Sequence, residues 1–190
     1  MDVATHVYLH NVFGARWVEG LGLTGIVADG DGSSNTHAQL GYGAGEIRDE
    51  DLRHINTDVN TPANIPIFYR SGINDIRVKT ANAFPLIGKD DVTSTTRPKY
   101  NLNTSGTWSL SEVGSNQFWL MHYFSTNDIN SPLIGWVGTS LHNNVPEARA
   151  VAVTEINELS GLPFAEFVPI GTVIFKTDSY SNTPNAIIVY

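Results

Sequence analysis

The sequence predicts an almost entirely β fold, mostly antiparallel and of the β-sandwich, jelly-roll-like kind, with one short α-helix near residues 145–160. Three observations predict it. Short runs rich in β-branched and aromatic residues recur between clusters of Gly, Asn, Asp and Pro, the pattern of sandwiches and barrels. The run Phe118-Trp119-Leu120-Met121-His122-Tyr123-Phe124 has no polar alternation, so a strand there must be covered on both faces and belongs at the centre of the core. A helical period is distinct in one place only, where Ala148, Ala152, Ile156 and Leu159 recur at three- and four-residue steps.

Strands are expected at residues 5–13, 17–28, 37–48, 65–69, 76–79, 118–125, 133–137, 168–177 and 186–190. Turns between them are marked by Asp29-Gly30-Asp31-Gly32, Ser71-Gly72, Asn127-Asp128 and Ser131-Pro132, which supply positive φ, a fixed φ or a side-chain turn bond. The helix has its own punctuation: Asn144 to cap it, Pro146 and Glu147 in the first turn, Gly161 and Pro163 to stop it. Its apolar stripe predicts a packing role. His122, set among apolar neighbours, reads as a hydrogen-bonded core residue. The polar stretch 89–107 reads as a long surface excursion with at most a weak edge strand.

At 190 residues the chain fits one domain, with residues 1–40 open to reading as an arm or docking strands. Hydrophobic residues make up 41% and charged ones 16%, enough apolar surface to fold. The absence of cysteine excludes disulfides, thiolate metal sites and a cysteine nucleophile. A formal net charge of -8 opposes phosphate backbones, so nucleic acid is not an expected partner. Neither membrane insertion nor a signal peptide is expected: no apolar run reaches the roughly 18 residues of a membrane helix, and the first residues lack a basic flank and a cleavage site.

Several strings touch on site chemistry and each also has a plain reading. Gly20-Leu21-Gly22-Leu23-Thr24-Gly25 matches the bare dinucleotide string, but Ile26-Val27-Ala28 continues as strand where a helix must start, so a glycine-dotted strand or bulge is expected. Asp29 and Asp31 open like a calcium loop, yet Ser34 stands at its sixth position and Leu40 at its twelfth, so a surface turn is expected and no metal. Glu46, Asp49, Glu50 and Asp51 form the densest acidic run, beside His54, and read as a solvated or edge-protecting cluster. His6 and His10, on a strand, stand about 13 Å apart, too far to share an ion. Serine-elbow, zinc-helix and phosphate-loop signatures are missing. Asn103-Thr104-Ser105 is a formal glycosylation sequon.

The C-terminal half carries a resemblance. It runs through Tyr123-Phe124-Ser125-Thr126-Asn127-Asp128, Ser131-Pro132-Leu133-Ile134, His142-Asn143-Asn144 before Ala148-Arg149-Ala150, Gly161-Leu162-Pro163-Phe164-Ala165-Glu166-Phe167-Val168-Pro169 and Asn185-Ala186-Ile187-Ile188-Val189. Upstream, Ala44-Gly45-Glu46-Ile47-Arg48-Asp49-Glu50-Asp51 and Ile65-Pro66-Ile67-Phe68-Tyr69-Arg70-Ser71-Gly72 fit the same pattern. Over residues 40–190 the chain resembles the C-terminal head domain of phage tail fibres and related virion attachment (spike) proteins. The resemblance implies a β-sandwich head, usually a homotrimer, on a virion assembled in the host cytoplasm. It implies contact with a host-surface glycan or protein or with another virion protein, and neither cofactor nor catalytic residue. One departure is expected from that pattern: Met1 opens on a strand-like segment where a fibrous shaft normally precedes such a head, which reads as an excised fragment or as a compact spike, cement or hub component.

Binding is then expected at loop tips that offer aromatic faces and adaptable polar groups, with Tyr100, Trp108, Asn127 and Asp128 as the candidates. Two other classes share the fold: a carbohydrate-binding module or lectin, and a small polysaccharide-degrading enzyme using Glu46, Asp49, Asp51 or Glu166.

Overall fold

The structure is a computed structural model and describes residues 4–5, 8, 14–49, 52–79, 83–88, 97–159 and 167–190. In chain order the strands are β1 (Ala15–Gly20), β2 (Leu23–Thr24), β3 (Gly41–Tyr42), β4 (Gly45–Asp49), β5 (Leu52–Asn56), β6 (Ile67–Ser71) and β7 (Asp75–Lys79). There follow β8 (Lys99–Thr104), β9 (Thr107–Glu112), β10 (Phe118–Thr126), β11 (Leu133–His142), helix α1 (Val145–Asn157), β12 (Phe167–Thr177) and β13 (Ala186–Ile188). Strands make up 47% of the described residues, and the all-β sandwich class expected from the sequence is the class observed.

The largest sheet has six strands in the order β13-β12-β10-β11-β6-β7. Its neighbours are antiparallel except β11 and β6, which run parallel with Gly135 opposite Ile67 and Trp136 opposite Phe68. The unalternating strand β10 lies inside it, between β11 and β12, where both of its faces are covered. Alternate residues separate cleanly. Trp119, Met121 and Tyr123 join Val137, Val173, Phe175 and Ile188 in the main core, facing Leu21, Leu40 and Ile47 of the second layer. That layer comprises the sheet β1-β4-β5 and the pair β2-β3. Leu120 and Phe124 point the other way, under α1. Each large apolar side chain so buried contributes roughly 1.5–3 kcal/mol.

Helix α1 starts where Asn144 predicts. Asn144 Oδ1 accepts from Glu147 N at 2.9 Å, and Glu147 reaches back to Asn144 Nδ2 at 2.6 Å and Asn143 N at 3.0 Å, closing a reciprocal cap. The expected stripe packs as read: Ala148 and Ala152 on Leu120 and Ile174, Ile156 and Leu159 against Phe124, Ile134 and Trp136. Its stop at Gly161 and Pro163 lies outside the described residues.

Several expectations need correction. In 5–13, Thr5 and Tyr8 are helical and the other residues lie outside the described set. Ala4 and Tyr8 stand one helical step apart, which the surrounding β-branched content obscured. Segment 17–28 is not one strand: Gly20 at φ 73° and Leu21 at φ 57° break it between β1 and β2. Only glycine fits at residue 20, because an added Cβ would lie 2.0 Å from Ala44 O. The GxGxxG string is therefore a glycine-broken strand pair. In 37–48 the chain first makes a 3-10 turn, Asn35–Ala38, capped by Ser34, and reaches strand only at β3 and β4.

Strand β5 was not expected, because Arg53 and His54 hide its alternation; it pairs with β4 as Glu46↔Ile55 and Ile47↔His54. Residues 97–107 are no surface excursion. There β8 and β9 form a hairpin around Ser105 (φ 50°) and Gly106 (φ 87°), and Lys99 and Asn101 are buried. Residues 89–96 lie outside the described set.

Candidate functional site

A bulge in β11 organises the region beneath the C-terminal end of α1. Met121 opposes Val137 and Trp119 opposes Leu141, so β11 spends four steps where β10 spends two, and residues 138–140 leave the ladder. Gly138 is required at the bend, since a Cβ there would lie 2.5 Å from Leu120 O. The bend aims Thr139 N and the Ser140 hydroxyl at Glu155, which lies on the buried face of α1, two turns after Ala148.

Glu155 is the hub of a closed network. Its Oε2 accepts from Thr139 N at 2.9 Å and from His122 Nε2 at 3.1 Å, and its Oε1 accepts a short bond from Ser140 Oγ. On the far side, His122 Nδ1 meets Thr172 Oγ1 at 2.9 Å. His122 is thus the hydrogen-bonded core histidine expected. Burial pushes the Glu155 carboxyl upward, but the bonds from His122, Ser140 and Thr139 outweigh it and hold the group below its ordinary value. Ser140 Oγ also lies 3.2 Å from His142 Nε2, which brings serine, histidine and glutamate together. The order differs from that of a nucleophilic triad, in which imidazole stands between serine and carboxylate. Here the carboxylate touches the serine itself.

Beside this network opens a cleft of about 140 Å³. Trp136 and Thr139 of β11 form its floor, and Glu155, Glu158 and Leu159 form the helix side. Arg70 of β6, Asn103 of β8 and Trp108 of β9 close the opposite wall. The Arg70 guanidinium carbon sits 4.8 Å from the Trp108 ring centroid, a cation-π contact, and burial lowers the Arg70 pKa.

That wall is held by backbone pairing. Gly72 and Trp108 exchange two bonds, at 2.8 and 2.7 Å. Asn101, fully buried, accepts from Arg70 N at 2.7 Å and donates to Arg70 O at 2.9 Å and Ser109 O at 3.3 Å. One carboxamide thus replaces a missing strand partner between β6 and the β8-β9 hairpin.

Of the four expected binding residues, only Trp108 lines the cleft. Tyr100 packs on the main core, because its position on β8 turns the ring inward. Asn127 and Asp128 sit in the β10-β11 turn, where Asp128 Oδ1 accepts from Asn130 N at 2.9 Å. Asp29 and Asp31 are exposed in their turn, and Asp31 is bonded to Ser33 N at 2.9 Å and Ser33 Oγ at 2.6 Å, bonds that lower its pKa.

Glu46 is clamped by Arg48 Nε and Arg53 Nε, each at 2.7 Å, and its carboxyl is lowered by those bonds, from Arg53 first. The Asp49 side chain, Asp51, Glu166, His6 and His10 lie outside the described residues. Among the described residues no group of three His, Cys, Asp or Glu could hold a metal ion.

Arg70, Asn101, Asn103, Glu155 and Glu158 were not expected at a site. The signal for Glu155 was present: a position seven after Ala148 shares the packed face, where a carboxylate needs a buried partner such as His122. The signal for the hairpin was Ser105-Gly106, a turn dipeptide inside the supposed excursion.

No protein-family model, curated protein or solved structure matches the chain.

Proposed function

We propose that the chain is a non-catalytic contact domain of a virion, a tail-fibre head or spike that binds a host-surface glycan or protein, or another virion protein, as a homotrimer. The observation that carries the reading is the state of the buried carboxylates. Glu155 and Glu46, the buried acids among the described residues, are each closed by internal donors, which supports a role in contact over one in catalysis for those two groups. The resemblance of residues 40–190 to virion attachment heads supports the same reading.

A lectin or carbohydrate-binding module is the second reading, favoured by the position of Trp108 beside Asn103 and Glu158 in the cleft. Binding of the intact chain to bacterial cells and to isolated surface polysaccharide, with native mass by light scattering, separates the two. Cell binding by a trimer is the expected result. A monomer that binds only free glycan favours the lectin. Release of reducing ends from polysaccharide overturns both.

A further inference from the structure

The cleft at the end of α1 has two walls of opposite character. On the helix side stand Glu158 and the terminal carbonyls of α1, a negative end made more negative by an exposed carboxylate. The last turn carries no basic residue. A second acid after Glu155 works against the helix dipole, and the Glu158 side chain takes no part in the cap, whose bonds run from the Glu158 backbone N–H to Thr154 O and Ile156 O. Local rules broken without structural gain mark functional positions. Across the cleft, Arg70 brings N–H donors, and Asn103 a carboxamide that already accepts from Gly106 N at 2.8 Å. On the floor, Trp136 is 1% exposed and closes the cleft with an apolar surface.

A ligand facing this pair of walls must give protons to one side and take them from the other. Hydroxyl groups do both, since each is one donor and two acceptors. An anion meets Glu158 and the helix carbonyls, and a cation meets Arg70. A volume of about 140 Å³ is small beside drug-sized sites of roughly 300–1,000 Å³. Trp108 adds an aromatic edge, half-buried and held in place by its backbone pairing with Gly72. We infer that this cleft is a subsite for one ring of a neutral saccharide, with Glu158 accepting from its hydroxyls, Arg70 and Asn103 meeting them from the opposite wall, and Trp108 lying against the ring. The inference rests on the reading of the chain as a surface-binding head and names the chemistry that such a head takes.

The test is saturation-transfer NMR on the full chain with glucose, galactose, mannose and N-acetylglucosamine as neutral probes, and glucuronate and sialic acid as anionic ones. At least one neutral sugar should receive saturation and the anions should not. Trp108→Ala should weaken that sugar on the order of tenfold or more, and Trp108→Tyr should restore much of the loss. Glu158→Gln, at an exposed position, should weaken binding while circular dichroism stays unchanged. Silence from all four neutral sugars, preference for an anion, or binding unmoved in folded Trp108→Ala and Glu158→Gln overturns the inference. Cell binding is scored separately. Cells bound without any sugar signal overturn the subsite and leave attachment standing; a Trp108-dependent sugar signal without cell binding supports the subsite and removes attachment.

Discussion

The six-stranded sheet holds its two faces by different physics. Toward the second layer, Trp119, Met121, Tyr123, Val173 and Phe175 meet other apolar side chains, and the face is stabilised by area removed from water. Toward α1 the same strands also bury His122, bonded to Thr172 on one side and to Glu155 on the other, and the buried carboxylate on this face depends on those partners. Area tolerates exchange of one apolar shape for another. Matched polar pairs do not, and the cleft lies on the side that depends on them.

Substitutions at the two faces sharpen this contrast. Trp119→Ala, on the apolar face, is expected to cost about 3–5 kcal/mol in urea unfolding; a cost under about 1 kcal/mol would show that this face is not the core. Glu155→Ala is expected to cost about 3 kcal/mol, because His122, Thr139 N and Ser140 lose one shared acceptor. His122→Leu combined with Glu155→Leu should cost less than the two single changes added together, by about 1–3 kcal/mol. Strict additivity would break the view of the pair as one unit.

Asn101→Ala comes next, at about 2 kcal/mol, since Arg70 N and O and Ser109 O lose their partner; amide exchange at Arg70 should rise with it. Asn144→Ala, at the exposed start of α1, is expected to cost about 1 kcal/mol. The pair at Glu155 also carries a pH signature. Its folded value lies below the ordinary 4.5, so its contribution is complete above that value and is lost as pH falls through the lower folded one. Urea midpoints between pH 6 and 3 should therefore fall more steeply for the natural chain than for Glu155→Gln. Parallel profiles would assign the acid sensitivity to other carboxylates.

What the sequence disclosed follows the same division. The unbroken run at Phe118 to Phe124, the capped helix and the tail strand were legible because burial on both faces, a capping residue and a helical period are written in neighbouring residues. Strand β5 and the β8-β9 hairpin were not, because their charged and polar residues are paid for by partners on other strands: Glu46 across the β4-β5 pair for Arg53, Arg70, 31 positions away, for Asn101. The cleft combines residues from β6, β8, β9, β11 and α1, and no local pattern joins Arg70 to Glu158. Trp108 was within reach on residue type alone; Tyr100 was not distinguishable from it without the register of β8, which turns its ring inward.

The clasp between the first turn region and the tail has a consequence for biogenesis. Asn182 N donates to Gly32 O at 3.0 Å and Asn182 Nδ2 to Ser34 O at 3.3 Å, while Thr183 N donates to Asn35 Oδ1 at 2.8 Å across 148 positions. Contacts of such separation close late, after loop entropy has been overcome. The early segment therefore waits, unsecured, until residues 181–188 have left the ribosome, and a nascent chain released before them carries an open edge on β12 to which other chains can add.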